Sequence, residues 1–170
     1  MLIQLRKGIS LMPGTFSAVI APERVILAAL NDNPDLQRFL FLFVCGNYSR
    51  LLSRIRRTSA NFEIRRPFTA DQLLTVLKEA SHTIVFIEHD PTLFDDAERL
   101  LAPLAAALRD TGREALLILY SPTMDRSFAI LARQADRLIE IMPEEPAYRP
   151  VYTGNRRGNP LSAVQKTLEF

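Results

Sequence analysis

The chain has 170 residues, of which 48% are hydrophobic and 24% charged, and its net charge is +2. This length predicts one domain with a full α/β core, and the composition excludes disorder of the whole chain. A single cysteine, Cys45, excludes an internal disulfide and, with only two histidines, argues against a structural zinc site. We therefore expect a protein of the reducing cytoplasm, and no apolar run reaches the roughly 18 residues of a membrane-spanning helix.

The first third of the chain alternates strand and helix patterns. A short apolar run predicts a buried strand at residues 16–21, and apolar residues at helical spacing predict a helix at 23–30. The uninterrupted apolar run at 39–45 is typical of a strand buried on both faces. Apolar residues on one side predict a helix over 48–57, and residues 61–65 are predicted to form a short strand.

The middle of the chain continues the alternation. Thr69, with Gln72 three residues later, has the spacing of a capping box and predicts a helix N-terminus. Residues 83–87 form another apolar run and predict a buried strand. A long helix is predicted to follow and to run to Asp110, with a kink or a break at Pro103 because proline lacks the N–H group that an interior turn needs.

The last third begins at Gly112, which we expect to end the long helix. A strand is predicted at residues 115–119, a helix at 124–134 and a strand at 137–141. The tail is predicted to form two extended segments, at residues 148–153 and 161–168, around a turn at 154–160.

This alternation predicts an α/β fold, with three layers and a mostly parallel sheet. We expect one domain, with a core of about residues 14–142 and a C-terminal β extension of about residues 147–170. The carboxyl ends of parallel strands carry the site in such sheets. The segments at those ends are Ala21-Pro22-Glu23, Gly46-Asn47, Glu88-His89-Asp90 and Tyr120-Ser121.

The ordered series of strand and helix patterns resembles the RecA/KaiC-like branch of the P-loop ATPases over nearly the whole chain. Residues 14–21 are similar to the first strand of that family, which leads into the phosphate loop, and residues 39–45 to its second strand. Residues 66–73 resemble the segment before the next helix, and residues 83–88 the Walker B strand. Residues 116–121 and 135–141 resemble the two strands that follow, and Asn155-Arg156-Arg157-Gly158 weakly resembles a late hairpin turn that contacts a neighbouring subunit's nucleotide. The Walker B-like stretch and residues 135–141 are also similar to ABC-type ATPases.

Two departures from this family bear on function. The family needs G-x-x-x-x-G-K-[ST] after its first strand, where backbone N–H groups and a lysine hold the phosphates. This chain has Ala21-Pro22-Glu23-Arg24 instead, with a carboxylate at the helix N-terminus where a phosphate would lie, and we expect Glu23 to cap its own helix. The catalytic glutamate that the branch places after its second strand is also missing, since Gly46 and Asn47 stand there.

Glu88, His89 and Asp90 form the cluster whose side chains are best suited to catalysis or to metal binding. One interpretation is a Walker B-like acid with a neighbouring metal or proton partner, although one carboxylate alone is a poor Mg²⁺ site. We favour the other, in which Asp90 or Thr92 caps the next helix and Glu88 pairs with an arginine. We expect His82 to be solvated and Cys45 to be a small core residue, and no Ser-His-Asp or Cys-His spacing stands out in the sequence.

The chain contains 18 arginines and only 3 lysines, and six arginines fall within 17 residues. They are Arg50, Arg54, Arg56, Arg57, Arg65 and Arg66. On the predicted helix, Arg50, Arg54 and Arg57 would share one face. They could contact nucleic-acid phosphates, with Tyr48, Phe62 and Phe68 as stacking partners, although we expect both phenylalanines to pack in the core. They could also form a solvated face or contact carboxylates of a neighbouring subunit, and Arg156 and Arg157 form a second basic turn.

The sequence favours a non-catalytic RecA-like binding or regulatory module without ATP hydrolysis and without a cofactor. The resemblance implies that subunits pack side by side, so the expected partner is a second copy or an active ATPase of the same fold. A nucleic-acid-binding accessory protein, similar to recombinase paralogues, ranks second. An ATPase with an atypical nucleotide site around Glu88 ranks third.

Overall fold

The computed structural model describes residues 3–6, 8–33, 36, 38–57 and 59–142. These residues form the strands β1 (Ile3–Arg6), β2 (Ile9–Leu11), β3 (Thr15–Ile20), β4 (Phe41–Val44), β5 (Phe62–Arg65), β6 (Ile84–Glu88), β7 (Leu116–Ser121) and β8 (Arg137–Glu140). The helices are α1 (Glu23–Asn31), α2 (Ala70–Glu79), α3 (Leu101–Glu114) and α4 (Arg126–Ala132), with two short 3₁₀ turns at Pro91–Phe94 and Glu98–Leu100. The predicted tail segments, including Arg156 and Arg157, lie outside the described residues.

Six strands form one parallel sheet in the order β5-β4-β6-β7-β3-β8. β7 lies between β3 and β6, and its Ile118 is in register with Ser17 on one side and Phe86 on the other. Every residue of β4 and β7 is buried, as their uninterrupted apolar sequences predicted. The predicted α/β class and parallel sheet are confirmed, and the architecture is consistent with a three-layer RecA-like fold.

Two apolar layers cover the sheet. On one face, Ile26 and Leu27 of α1 pack with Leu51 of the loop after β4 and with the buried residues of β1 and β2. On the other face, Leu73, Leu104 and Phe128 represent the buried sides of α2, α3 and α4. Burial of such side chains on both faces contributes most of the folding free energy of a parallel sheet.

The helix predicted over residues 48–57 is wrong. This segment forms a series of turns with a single helical hydrogen bond, from the Ile55 N–H to the Leu51 carbonyl at 3.1 Å. Polar side chains take the backbone groups that a longer helix would use. Ser49 Oγ accepts the Leu52 N–H at 3.0 Å, and Asn31 at the end of α1 accepts the Arg56 N–H at 2.9 Å and donates to the Arg54 carbonyl at 3.1 Å.

The region after β6 also differs from its prediction. The chain makes two 3₁₀ turns before α3 begins at Leu101, so Pro103 falls in the first turn, where its missing N–H has no intrahelical partner to lose. The expected kink or break at Pro103 is therefore wrong, since α3 begins two residues earlier and continues through it. Gly112 lies inside α3 rather than at its end. The helix passes close to β3 there, since a Cβ at position 112 would lie 2.7 Å from Phe16 Cβ, and this close approach explains the glycine.

An antiparallel hairpin of β1 and β2 precedes the parallel sheet and was not predicted. Gly8 has φ +87° between the two strands, a conformation that glycine adopts without strain. Ile3, Leu5 and Leu11 are buried, and the Arg137 guanidinium of β8 donates to the Ser10 carbonyl at 2.7 Å. Among the described residues, none of the helices has the length and apolar character needed to cross a bilayer.

Candidate functional site

A groove of about 470 Å³ opens at the carboxyl edge of the sheet. The ends of β6 and β7 and the segments that follow β4, β6 and β7 line it, and they carry Ser49, Glu88, His89 and Thr123 among others. Of the four strand-end segments that the sequence singled out, those at Gly46, Glu88 and Ser121 line this groove, whereas Ala21, Pro22 and Glu23 are not among its lining residues. Tyr48, Arg50 and Asp125 also line the groove, and their position there follows from the fold and not from any pattern in the sequence.

The connection between β3 and α1, which the resemblance aligns with a phosphate loop, is short and packed by the chain itself. Only Ala21 and Pro22 separate β3 from α1, and Pro22 is the N-terminal cap residue without a side-chain hydrogen bond. The hydroxyl of the buried Tyr120 donates to the Ala21 carbonyl at 3.1 Å, which ties the end of β7 to this connection. Burial raises the pKa of Tyr120, with the carboxylates of Glu23 and Glu88 adding to the effect.

Glu23 does not cap its own helix, contrary to the prediction. Its two carboxylate oxygens instead accept from Arg50 Nη1 at 3.4 Å and Arg54 Nη1 at 3.3 Å. The Glu23 side chain is only 26% exposed and lies in the first turn of α1, where negative charge is favourable. One carboxylate thus joins α1 to the loop that follows β4, while Arg24 is exposed beside it.

The Glu88 carboxylate is held by the loop that follows β4. Ser49 Oγ donates a short hydrogen bond to Oε2, the Arg50 N–H donates to Oε1 at 3.0 Å, and the Leu51 N–H adds a third. Burial raises the pKa of Glu88, and these three donors oppose the rise. Glu88 takes a backbone N–H of Arg50 rather than its guanidinium, so the expected pairing of Glu88 with an arginine side chain is wrong.

Asp90 caps the turn that follows it, as predicted. Its Oδ1 accepts the Thr92 N–H at 3.0 Å and the Thr92 hydroxyl at 2.7 Å. Both hydrogen bonds lie within the N-terminus of the 3₁₀ turn at Pro91–Phe94, so this carboxylate oxygen has a local structural role.

His89 belongs to a cluster that the sequence did not reveal. Its Nε2 lies 2.8 Å from Asp125 Oδ2 and 3.2 Å from Ser127 Oγ, while Ser127 Oγ donates to Asp125 Oδ1 at 2.6 Å. The ring is buried between Phe94 and Phe128, with centroid distances of 5.6 and 5.4 Å. Burial lowers the pKa of His89, although the Asp125 carboxylate opposes the change.

These three residue types do not form a catalytic triad. A triad places the nucleophile and the carboxylate on opposite ring nitrogens, so that the histidine can pass a proton between them. Here Ser127 and Asp125 share one nitrogen, and the Ser127 hydroxyl donates to the aspartate instead of to a base. Asp125 also caps α4 by accepting the Phe128 N–H at 2.9 Å, so the cluster fixes the start of that helix. A capping aspartate before 126–132 was the only available signal in the sequence.

The structure separates the six clustered arginines, so the predicted common helical face is wrong. Arg50 and Arg54 meet at Glu23, and Arg65 pairs with Glu63 at 2.5 Å on β5. Arg66 lies near the Cys45 thiol at the end of β4, and Arg57 is exposed. The Arg56 backbone bonds to Asn31 at the far end of α1.

The flanking aromatic residues divide as well. Phe62 packs in the core, with its ring 4.9 Å from that of Phe41, as expected. Phe68 was also expected in the core, but it is 65% exposed, because it precedes α2 at the edge of the sheet rather than on a strand. Tyr48 is 93% exposed.

Two further side chains can now be placed. His82 is not solvated as predicted, since its ring is largely buried with Nε2 3.1 Å from Glu63 Oε2. Cys45 is a buried core residue as predicted, and burial raises the pKa of its thiol. In the part of the chain that the structure describes, no group of three or more histidine, cysteine or acidic side chains is arranged to hold a metal ion.

Comparison with known proteins gives one relationship and no activity. No family model matches the chain. The chain is 38% identical over 161 residues to a protein of Archaeoglobus fulgidus that is described as an uncharacterized protein, and the match covers 92% of this chain and 82% of the archaeal one. At this identity and coverage, the chain belongs to the same protein family as that archaeal protein.

Proposed function

We propose that the protein is a non-catalytic RecA-like binding or regulatory module that acts through protein contacts and does not hydrolyse ATP or GTP. The observation that carries this proposal is the set of hydrogen bonds that the Glu88 carboxylate accepts within the chain. Its carboxylate, which is the Walker B-like acid of the sequence, accepts from Ser49, Arg50 and Leu51 of its own chain.

A hydrolytic site would need this carboxylate for other contacts. Mg²⁺ in nucleotide sites is bound by one or two carboxylates together with phosphate oxygens and water. Turning Glu88 toward such an ion would leave the hydroxyl and N–H donors of residues 49–51 without their acceptor, at a cost typical of lost hydrogen bonds to a charged group.

The first strand end supports the same conclusion. A phosphate loop uses consecutive free N–H groups and the positive end of a helix. In this chain Pro22 removes one N–H group, and Glu23 brings a carboxylate to that helix end. Two arginines already neutralise this carboxylate, so the site is built around an internal anion rather than a bound one.

The proposed partner is a second copy of the chain or an active ATPase of the same fold. The resemblance to RecA-like ATPases implies side-by-side packing of subunits. Leu138 on the edge strand β8 is 56% exposed, and Met142 just beyond it is exposed as well. In the part of the chain that the structure describes, β8 is the last strand of the sheet, and exposed apolar side chains at such a strand are typical of surfaces that bind another chain.

The test combines phosphate release from ATP and GTP with light scattering after size exclusion. We expect no turnover above a matched blank. We also expect either an oligomer, with a molar mass of at least twice that of the monomer, or a complex with a co-purified ATPase. The matched control is Glu88→Gln, since contaminating activity would be the same in both preparations. Turnover that Glu88→Gln abolishes would contradict the proposal.

A further inference from the structure

The exposed side of α3 has a groove along each flank. One groove, of about 380 Å³, lies between α3 and α2, and the other, of about 340 Å³, lies between α3 and α4. Ala106 and Asp110 line both grooves, so they form the crest of the helix between them. Ala102, Pro103 and Ala106 are exposed, and such small side chains let a second helix approach closely.

The groove between α3 and α4 is basic. Arg109, Arg113 and Arg133 line it and are exposed. Arg109 donates to the neutral Gln134 amide at 3.4 Å, and within the described residues the Arg133 side chain has no partner. Arg113 pairs with Asp110 at 3.3 Å, but these side chains are 63% and 70% exposed, and such pairs are weak. Three positive charges therefore face one negative charge in this groove.

The groove between α2 and α3 has the opposite charge. The carboxylates of Asp110 and Glu114 line it together with one cation, Lys78. Glu114 is exposed and forms no ion pair in the part of the chain that the structure describes. One helix thus separates a basic groove from an acidic groove of similar size, with small apolar side chains at the centre. An apolar centre with a polar rim is the usual composition of a protein interface.

We propose that a second copy of the chain docks on this surface, with the α3 helices of the two subunits packed in parallel about a two-fold axis. An axis that runs along the helices sets the basic groove of each subunit against the acidic groove of the other and repeats the same contact twice. An antiparallel two-fold pair would instead set like charges against each other, which opposes association. The guanidinium groups of the basic groove suit the carboxylates that they would meet.

This inference deepens the proposed function, because it rests on a second copy as the partner and names the face through which two copies meet. The α3 helix packs on β3 and β7, whereas the exposed Leu138 lies on β8. A partner at the β8 edge would therefore use a different surface.

The experiment is light scattering of the full chain over a series of protein concentrations. We expect the wild type to form a dimer that weakens as salt is added. The double variant Arg109→Glu/Arg113→Glu and the single variant Glu114→Arg should each raise the dissociation constant by about tenfold or more, because each sets like charges together. A one-to-one mixture of the two variants should form dimers again, since their reversed charges complement each other in both grooves. Unfolded variants could not be restored in this way.

Two control variants accompany the charge reversals. Arg57→Glu changes an exposed charge in the loop after β4, on the opposite face of the sheet, and Leu138→Glu changes the β8 edge. Both should leave the dimer intact, and thermal melting should show that every variant is folded.

A wild type that is monomeric at every concentration would overturn the inference, as would a dimer that neither charge reversal weakens or a mixture that does not associate. If Leu138→Glu dissociates the dimer and the α3 variants do not, the contact lies at β8. The inference then fails while the proposed function stands, and phosphate release tests that function separately.

Discussion

Gly46 and Asp90 are in direct contact across the ends of β4 and β6. The Asp90 carboxylate occupies the space that a side chain at position 46 would need, since a Cβ built on Gly46 would overlap Oδ2 and come within 2.8 Å of Cγ. The other oxygen of Asp90 caps the turn at Pro91–Phe94. A missing side chain on one strand thus accommodates a capping residue on the next, which explains why position 46 carries glycine although its φ is not positive.

Gly46→Ala should destabilise the protein by about 1–3 kcal/mol, the usual cost of forcing an extra group into a packed site. Urea unfolding of the wild type and the variant measures this cost. The control is the same substitution in an Asp90→Ala background, where the two clashing atoms are gone. The cost should be clearly smaller there, and an equal cost in both backgrounds would show that the Asp90 carboxylate is not its cause.

Glu88→Ala should free the loop that follows β4. Hydrogen bonds to a charged acceptor contribute about 1.5–3 kcal/mol, so the amides of Arg50 and Leu51 should exchange with solvent markedly faster in the variant. Hydrogen-exchange mass spectrometry or NMR measures the change. Glu23→Ala is the matched control, because Glu23 binds the side chains of this loop and not its amides. Unchanged exchange at Arg50 in Glu88→Ala would refute the role assigned to Glu88.

The sheet was predictable because its signal is local. A strand buried on both faces must be apolar at every position, and β4 and β7 show that pattern without interruption. The Thr69 cap was predictable for the same reason, since the Gln72 N–H that it binds lies three residues away at 3.2 Å.

The loop after β4 was not predictable because distant residues decide it. Leu51, Leu52 and Ile55 have helical spacing and are buried, as a helix would require. However, Glu88 takes the first N–H groups of the segment and Asn31 ends it, and neither lies near it in sequence. Tertiary hydrogen bonds therefore outweigh a weak local preference.

The same limit applies to the candidate site. His89 was visible as a polar residue at a strand end, but its partners Asp125 and Ser127 come from beyond the next strand. The exposure of Phe68 could not be predicted either, because it depends on where β5 ends and α2 begins. The strand ends of the site were therefore predictable, whereas the contacts between its side chains were not.

His89 should make the protein less stable as the pH falls below about 6.5. Burial lowers the pKa of the folded-state imidazole below its ordinary value of 6.5, against the opposing effects of Asp125 and Asp90, so below pH 6.5 the unfolded chain binds the proton more readily than the folded one. The His89 contribution is therefore fully present above pH 6.5 and is lost as the pH falls toward the folded-state pKa, by at most about 1.4 kcal/mol per pH unit.

Urea unfolding at pH 7.5, 6.5 and 5.5 measures this dependence of stability on pH, and His89→Gln should reduce it. The raised pKa of Glu88 contributes the opposite slope at lower pH but is present in both proteins, so it cancels in the comparison. An identical slope in His89→Gln, or a ring NMR titration of His89 with a midpoint above 6.5, would contradict the prediction.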